Sequence, residues 1–250
     1  MMWLPTGSAE SPHFLFVSSS PFGAGCFSGL TRAFTEDFRM AVPDGSLPPT
    51  QEEILAAARS SAPQPVFAVL QGLAAPLLLP ELARHSKLLT GVVILGGPGS
   101  AISARTADFG RWYVSNRQRL GELDPEDRLT LLLRRLGPGR QALSQQIVSA
   151  LHHEAGSADL SALDAVMAMH PLDERPAASD VPALLVHGDS DRTMTRAGAG
   201  PELPRGFPDV RTVIMPGAGH LVALEATDLV ASLIASFARE PIECWPRRRA

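Results

Sequence analysis

Short runs of apolar residues recur along the chain and are separated by stretches with helical spacing. Several runs are continuously apolar, which is typical of strands that are buried on both faces of a parallel sheet. The runs expected to be strands are His13–Ser18, Phe38–Val42, Pro65–Leu70, Gly91–Leu95, Ala183–His187 and Arg211–Met215. The helical stretches are Ser28–Asp37, Gln51–Ala62, Ala74–Leu89 and Ala226–Arg239. This alternation predicts an α/β fold with a mostly parallel sheet of about six strands.

A long interval between the fourth and fifth of these runs contains no strand-like pattern. Its helical periodicities cover Glu126–Leu136, Gln141–Glu154 and Leu160–Met169. An all-helical insertion between two strands is typical of a cap that covers the strand ends and sets ligand specificity. We therefore expect a single domain over residues 1–250, with a core from 12–100 and 179–240 and a helical cap over 101–178.

Composition and charge exclude several classes of protein. The chain has 250 residues, of which 45% are hydrophobic and 19% are charged, so it is too apolar for a disordered protein. Its net charge of −4 and the lack of a basic stripe argue against a nucleic-acid partner. The apolar runs are too short to span a membrane, and the first residues lack a signal-peptide pattern. The two cysteines form no disulfide framework, so a cytoplasmic location is expected.

Two segments near the C-terminus carry the most informative motifs. Val181–Met194 reads VPALLVHGDSDRTM, and Val213–Leu224 reads VIMPGAGHLVAL. Each consists of a buried strand followed by a glycine-containing turn and a polar residue of a type that takes part in catalysis. That residue is Asp191 in the first segment and His220 in the second. The carboxyl ends of neighbouring parallel strands are where sites form in open sheets. An aspartate there can hold an imidazole in one tautomer and stabilise its charged form.

These segments resemble the C-terminal half of the α/β-hydrolase superfamily, and the first half of the chain is similar to that superfamily as well. The resemblance implies that Asp191 is the triad acid and that His220 is the triad base. It also implies an oxyanion loop after the first strand, where either Ser18-Ser19 or Ser19-Ser20 stands in place of the usual His-Gly, with Ser19, Ser20 and Leu73 as the candidate residues. The early start of the sheet indicates that the superfamily's N-terminal hairpin is missing.

The nucleophile position departs from the superfamily pattern. The usual elbow is G-x-S-x-G, whereas this chain reads Leu70-Gln71-Gly72-Leu73-Ala74-Ala75 and has glycine at position 72. Serine, cysteine and aspartate are absent from residues 65–80, so a shift by one residue does not supply a nucleophile. Glycine takes the positive φ of an elbow without strain. We therefore expect the turn to be retained and the reactive atom to be lost, unless the elbow lies elsewhere in the chain.

Other candidate site residues have both a chemical and a structural interpretation. Cys26 lies in a small-x-Cys-x-small pattern and is either a displaced thiol nucleophile or an inert buried residue. Trp112 and Tyr113, in the expected cap, line a ligand pocket or belong to its core. The sequence from Gly96 to Ser100 predicts a turn into the cap. Histidines of the cap have no partners at metal-ligand spacing, so neither a metal nor another cofactor is expected.

Three classes of function remain open. The favoured one is an enzyme without a serine nucleophile, in which His220, oriented by Asp191, acts as a general acid or base on a small apolar molecule. Elimination, isomerisation and cyclisation are such reactions, and the near-absence of lysine favours a GC-rich bacterial source and natural-product, for example polyketide, biosynthesis. The alternatives are a hydrolase, esterase- or thioesterase-like, that uses activated water, and a non-catalytic protein that binds a ligand or supports a partner.

Overall fold

The fold is seen in a computed structural model of the chain. The structure describes the following residues: 1–4, 6–8, 10–18, 23–34, 37–42, 50–97, 108–136, 151, 160–168, 180–191, 207 and 209–240. The predictions for Ser19 and Ser20 fall outside these residues, as do most of those for Gln141–Glu154.

A seven-stranded sheet forms the centre of the molecule, in the order β1-β3-β2-β4-β5-β6-β7. All neighbouring strands are parallel except β1, which pairs antiparallel with β3 at one edge. The strands are β1 (Met2–Trp3), β2 (His13–Ser18), β3 (Arg39–Val42), β4 (Val66–Gln71), β5 (Gly91–Leu95), β6 (Ala183–Gly188) and β7 (Val210–Met215). The predicted fold class is thus confirmed, with one strand more than the six expected.

The added strand is too short to leave a pattern in the sequence. Met2 pairs with Val42 and Trp3 pairs with Ala41, so the pairing involves two residues on each strand. A two-residue strand shows no alternation of apolar and polar positions, which is why sequence periodicity did not reveal it.

Helices cover both faces of the sheet. They are α1 (Ser28–Ala33), α2 (Gln51–Ser60), α3 (Ala74–Arg84), α4 (Asp108–Glu122), α5 (Pro125–Leu136), α6 (Ser161–Ala168), α7 (Val222–Glu225) and α8 (Thr227–Arg239), with 3₁₀ turns at Gly23–Phe27 and Ser86–Leu88. Along β4, Phe67 and Val69 belong to one apolar core, whereas Ala68 and Leu70 belong to the other. Burial on both faces explains why this strand reads as a continuous apolar run.

Among the described residues between β5 and β6 are the helices α4, α5 and α6, within the interval expected to form the cap. Their buried side chains, among them Phe109, Leu132 and Val166, join the core on one face of the sheet. Helix α6 packs against α3, the helix that follows the candidate elbow. In the part of the chain that the structure describes, no helix is both long and apolar enough to cross a membrane.

The strand register brings the predicted site residues together at the carboxyl ends of the strands. Ser18 pairs with Gln71, and Gln71 pairs with Leu95, so β2, β4 and β5 end side by side. Strand β6 extends further at the same end, where Gly188 pairs with Met215 of β7. The turns that carry Gly72, Asp191 and His220 therefore leave the same end of the sheet, where ligand sites form in open parallel sheets.

Candidate active site

His220 and Asp191 form a buried pair beyond the ends of β6 and β7. The Nδ1 atom of His220 lies 3.1 Å from the Oδ2 atom of Asp191, and both residues are only 2–3% exposed. A carboxylate at Nδ1 assigns the ring proton to that nitrogen, so Nε2 is the unprotonated, basic nitrogen of the neutral imidazole. The pair therefore has the arrangement that makes a histidine a general base.

Gly72 lies directly against the other side of the same imidazole. It joins β4 to α3 with φ of +58°, a conformation that residues with a side chain rarely adopt. A Cβ atom built on Gly72 would lie 2.9 Å from His220 Nε2 and 3.3 Å from Cε1. The imidazole thus occupies part of the space that a side chain at position 72 would need.

The loop that carries His220 is held from both sides by hydrogen bonds. The Glu225 carboxylate accepts the N–H of Gly219 at 2.7 Å and the N–H of Leu221 at 3.1 Å. The Gln71 side-chain amide donates to the backbone carbonyl of His220 at 3.1 Å. These three bonds fix the backbone immediately before, at and after His220, so the imidazole is positioned before any ligand binds.

Two glycines allow this loop to approach the sheet closely. A Cβ atom at Gly96, where φ is +57°, would lie 2.2 Å from the carbonyl oxygen of His220. A Cβ atom at Gly188, the last residue of β6, would lie 2.2 Å from the carbonyl oxygen of Ala218. Real Cβ atoms do not make contacts this short, so any other residue at either position would push the histidine loop away from β5 or β6.

The oxyanion candidates fall on two different elements. Leu73 directly follows Gly72 and precedes the first turn of α3, where backbone N–H groups have no acceptor within the helix. Ser19 and Ser20 lie outside the described residues. The neighbouring Ser18 is buried, and its hydroxyl donates to the carbonyl oxygen of Gly23. Of the expected oxyanion hole, the Leu73 side lies within the described residues, at the start of α3.

Cys26 has the surroundings of a core residue. Its side chain is fully buried within the apolar core on one face of the sheet, and its thiol contacts the carbonyl oxygen of Gly23 at 3.2 Å. It follows β2 rather than β4, the strand that leads into the turn at Gly72. These contacts support the structural interpretation of Cys26 and give no support to a displaced nucleophile.

Trp112 and Tyr113 both lie on α4, in the interval expected to form the cap. Tyr113 is 1% exposed, and its hydroxyl donates to Asp164 of α6 at 2.7 Å. Arg117 also binds Asp164 through two hydrogen bonds of 2.7 Å, and this guanidinium, together with the Tyr113 hydroxyl, lowers the pKa of the Asp164 carboxyl. The ring of Trp112 is tilted by 39° against that of Phe109, with their centroids 5.7 Å apart. The contacts of Tyr113 are those of a residue that joins two helices.

Metal chemistry has no support within the described residues. No group of three or more histidine, cysteine, aspartate or glutamate side chains in that part of the chain has the arrangement to hold a metal ion. The paired histidines of the expected cap, His152 and His153, lie outside the described residues, as does His170.

Three residues near the site were not singled out by sequence reasoning. Gln71 and Glu225 hold the histidine loop, and His187, the fifth residue of β6, lies 3.9 Å from the Asp191 carboxylate, measured from Nδ1 to Oδ2. The partner of Gln71 is 149 residues away along the chain, so local periodicity carries no information about that pairing. For Gln71 and His187, the signal in the sequence was a polar residue at the end of an otherwise apolar strand, as in VLQ and LVH.

Comparison with known proteins establishes the fold. No protein-family model matches the sequence, and a search of curated proteins finds no match. A solved epoxide hydrolase from hot-environment metagenomes is 16% identical, with 96% of this chain and 94% of that chain covered and a TM-score of 0.69. An epoxide hydrolase from Bacillus megaterium is 15% identical over 96% of both chains, with a TM-score of 0.69. An esterase from Rhodococcus sp. ECU1013 is 15% identical over 94% and 93%, with a TM-score of 0.68. The chain therefore has the α/β-hydrolase fold.

Proposed function

We propose that this protein of the α/β-hydrolase fold is an enzyme that uses the His220–Asp191 pair as a general base and forms no covalent intermediate at position 72. The observation that carries the proposal is the position of His220 Nε2, 2.9 Å from where a Cβ atom of residue 72 would lie, so that a side chain there would have to displace the imidazole. The histidine is thus oriented for proton transfer, and the position of the usual nucleophile supplies no reactive atom.

Proton abstraction from a bound organic molecule is the reaction that this arrangement suits best. The Nε2 lone pair accepts the proton, and the Asp191 carboxylate at Nδ1 stabilises the imidazolium that forms. The low exposure of both groups strengthens this interaction, because water does not screen it. General base catalysis of this kind contributes about 10²–10⁴-fold in rate. Elimination, isomerisation or cyclisation of a small apolar molecule fits, with bacterial polyketide tailoring as the favoured setting.

Hydrolysis by a water molecule that His220 activates is the second candidate. It is favoured by the names of the structural neighbours, which are described as epoxide hydrolases and esterases. The same base would then deprotonate water, and the Leu73 N–H at the start of α3 would be available to a developing oxyanion. The two candidates share the base and differ in whether the proton comes from the substrate or from water.

Two chromogenic probes separate these candidates. Elimination of 5-nitrobenzisoxazole requires a base to remove one C–H proton while the N–O bond breaks, and it releases a coloured phenolate. Hydrolysis of 4-nitrophenyl acetate reports on attack at an ester carbonyl. We expect the wild-type protein to accelerate the elimination and to give no stoichiometric burst with the ester, because Gly72 cannot be acylated.

His220→Ala is the test variant, and His85→Ala is its control, since His85 is a half-exposed imidazole at the end of α3. Elimination should fall to the buffer rate with His220→Ala and stay unchanged with His85→Ala. Equal elimination by the wild type and His220→Ala would contradict the proposal. Steady ester hydrolysis that depends on His220 and shows no burst would favour activated water, and a burst would contradict both candidates.

A further inference from the structure

A second histidine, His187, shares the carboxylate of the candidate site. Its imidazole is 2% exposed, and its Nδ1 lies 3.9 Å from Asp191 Oδ2, the same oxygen that lies 3.1 Å from His220 Nδ1. That oxygen therefore faces the Nδ1 atoms of two imidazoles. Of these, only the one on His220 is within hydrogen-bond distance.

Packing does not require a histidine at this position. The four residues that precede it in β6 are apolar, and Leu185, two positions earlier and on the same face, belongs to the core against α3. Neither ring nitrogen of His187 has a hydrogen-bond partner among the described residues. A buried polar group without a partner is destabilising, so an apolar residue would be the better choice for stability alone.

The charge state of His187 suits a role beside Asp191. Burial lowers the pKa of His187, the charge of Asp191 opposes this shift, and the neighbouring His220 adds to it. The ring is therefore neutral at neutral pH and carries one N–H. A neutral donor can turn its N–H dipole toward the carboxylate without neutralising the charge that His220 needs when it accepts a proton.

We propose that His187 is a positioning residue that directs its Nδ1–H toward the Asp191 carboxylate and so fixes the oxygen that binds His220. The Nδ1–H tautomer is the one that the carboxylate favours electrostatically, since it places a positive dipole end against the negative oxygen. With the carboxylate fixed from a second direction, the His220 ring is held toward Gly72 more narrowly than one hydrogen bond would hold it.

The inference rests on the proposed function in that it assigns a role toward the same pair, but its test requires no substrate. The probe is the proton NMR signal of the imidazole N–H that His220 donates to Asp191. Such protons resonate far downfield, and the signal is assigned by its loss in His220→Ala. His187→Phe removes the N–H and keeps an aromatic ring, whereas His187→Asn keeps a donor, because its amide nitrogen takes the place of Nδ1.

We expect the signal to move downfield in His187→Phe, since the carboxylate then loses the N–H dipole of His187 and interacts more strongly with the His220 N–H, and to keep its position in His187→Asn. His187→Leu is the second apolar variant and serves if the phenylalanine does not fit. An unchanged signal in the folded apolar variant would overturn the inference. An equal displacement in the apolar and asparagine variants would also overturn it, because packing and not the N–H would then be the cause. Either result leaves the elimination assay of the proposed function unaffected.

Discussion

Replacing Gly72 with alanine tests the contact at the centre of the site. The new Cβ would lie 2.9 Å from His220 Nε2, whereas ordinary heavy-atom contacts are about 3.5–4.0 Å, so the methyl group or the ring must move by about 0.6 Å or more. Overpacking of this kind costs about 1–3 kcal/mol. Position 72 also has φ of +58°, and a non-glycine residue there adds about 1–2 kcal/mol of backbone strain.

Gly217 provides a matched control for the strain. Its φ is +75°, yet a Cβ atom built on it has nothing within 4 Å. Both substitutions to alanine reduce the freedom of the unfolded chain equally, so that effect cancels in the comparison. Gly217→Ala should lower the free energy of unfolding by about 1–2 kcal/mol, the strain alone. Gly72→Ala should lower it by about 2–5 kcal/mol, the strain and the contact together.

Urea unfolding of the two variants measures this difference directly. The double variant Gly72→Ala/His220→Ala completes a mutant cycle that isolates the contact between the two residues. The destabilisation caused by Gly72→Ala should shrink to that of Gly217→Ala when the imidazole is absent. A Gly72→Ala variant that is no less stable than Gly217→Ala, or a cost that persists without the imidazole, would refute the placement of His220 against residue 72.

Two further predictions concern the surroundings of the site. Glu225→Ala should destabilise the protein by about 2 kcal/mol in urea unfolding, because two backbone N–H groups beside His220 lose a charged acceptor. Glu225→Gln should destabilise it less, because one acceptor oxygen remains. Equal stability of the wild type and both variants would contradict this prediction. Asp164→Asn should reduce stability at pH 7 and reduce it less at pH 3. Arg117 lowers the pKa of Asp164 in the folded state, so the ionised carboxylate contributes fully to stability above the usual carboxyl pKa. This contribution is lost as the pH falls through the lowered pKa of the folded state. A gap between the urea midpoints that does not change with pH would contradict the second prediction.

Local patterns were sufficient for six of the seven strands, but not for the two-residue β1 or for the contacts around the site. The strands His13–Ser18 and Gly91–Leu95 have the bounds that their apolar runs predict, since each strand is buried along its whole length. Gly72 could be placed at the turn because it lies between such a strand and a helix of apolar spacing. The functional assignment of His220 and Asp191 remains a prediction, although the structure brings the two side chains together.

The contacts that sequence reasoning did not reveal depend on the tertiary structure. Gln71 reaches the carbonyl of His220 across 149 residues, and His187 shares Asp191 with His220 only because β6 and β7 are neighbours. Hydrogen-bond partners of buried polar groups are set by strand order and loop approach rather than by the spacing of apolar residues. A buried polar residue at the end of an apolar strand indicates that such a partner exists, but it does not say which one.

Reaction with an active-serine phosphonate, followed by intact-protein mass, tests the central claim most directly. The claim is that the site holds an oriented histidine and no nucleophile at the elbow, so the wild-type protein should gain no stoichiometric adduct. Gly72→Ser restores a hydroxyl beside Nε2 and, once the ring has shifted to admit it, should gain one adduct on residue 72 that disappears when His220→Ala is added. A stoichiometric adduct on any serine of the wild-type protein would contradict the account.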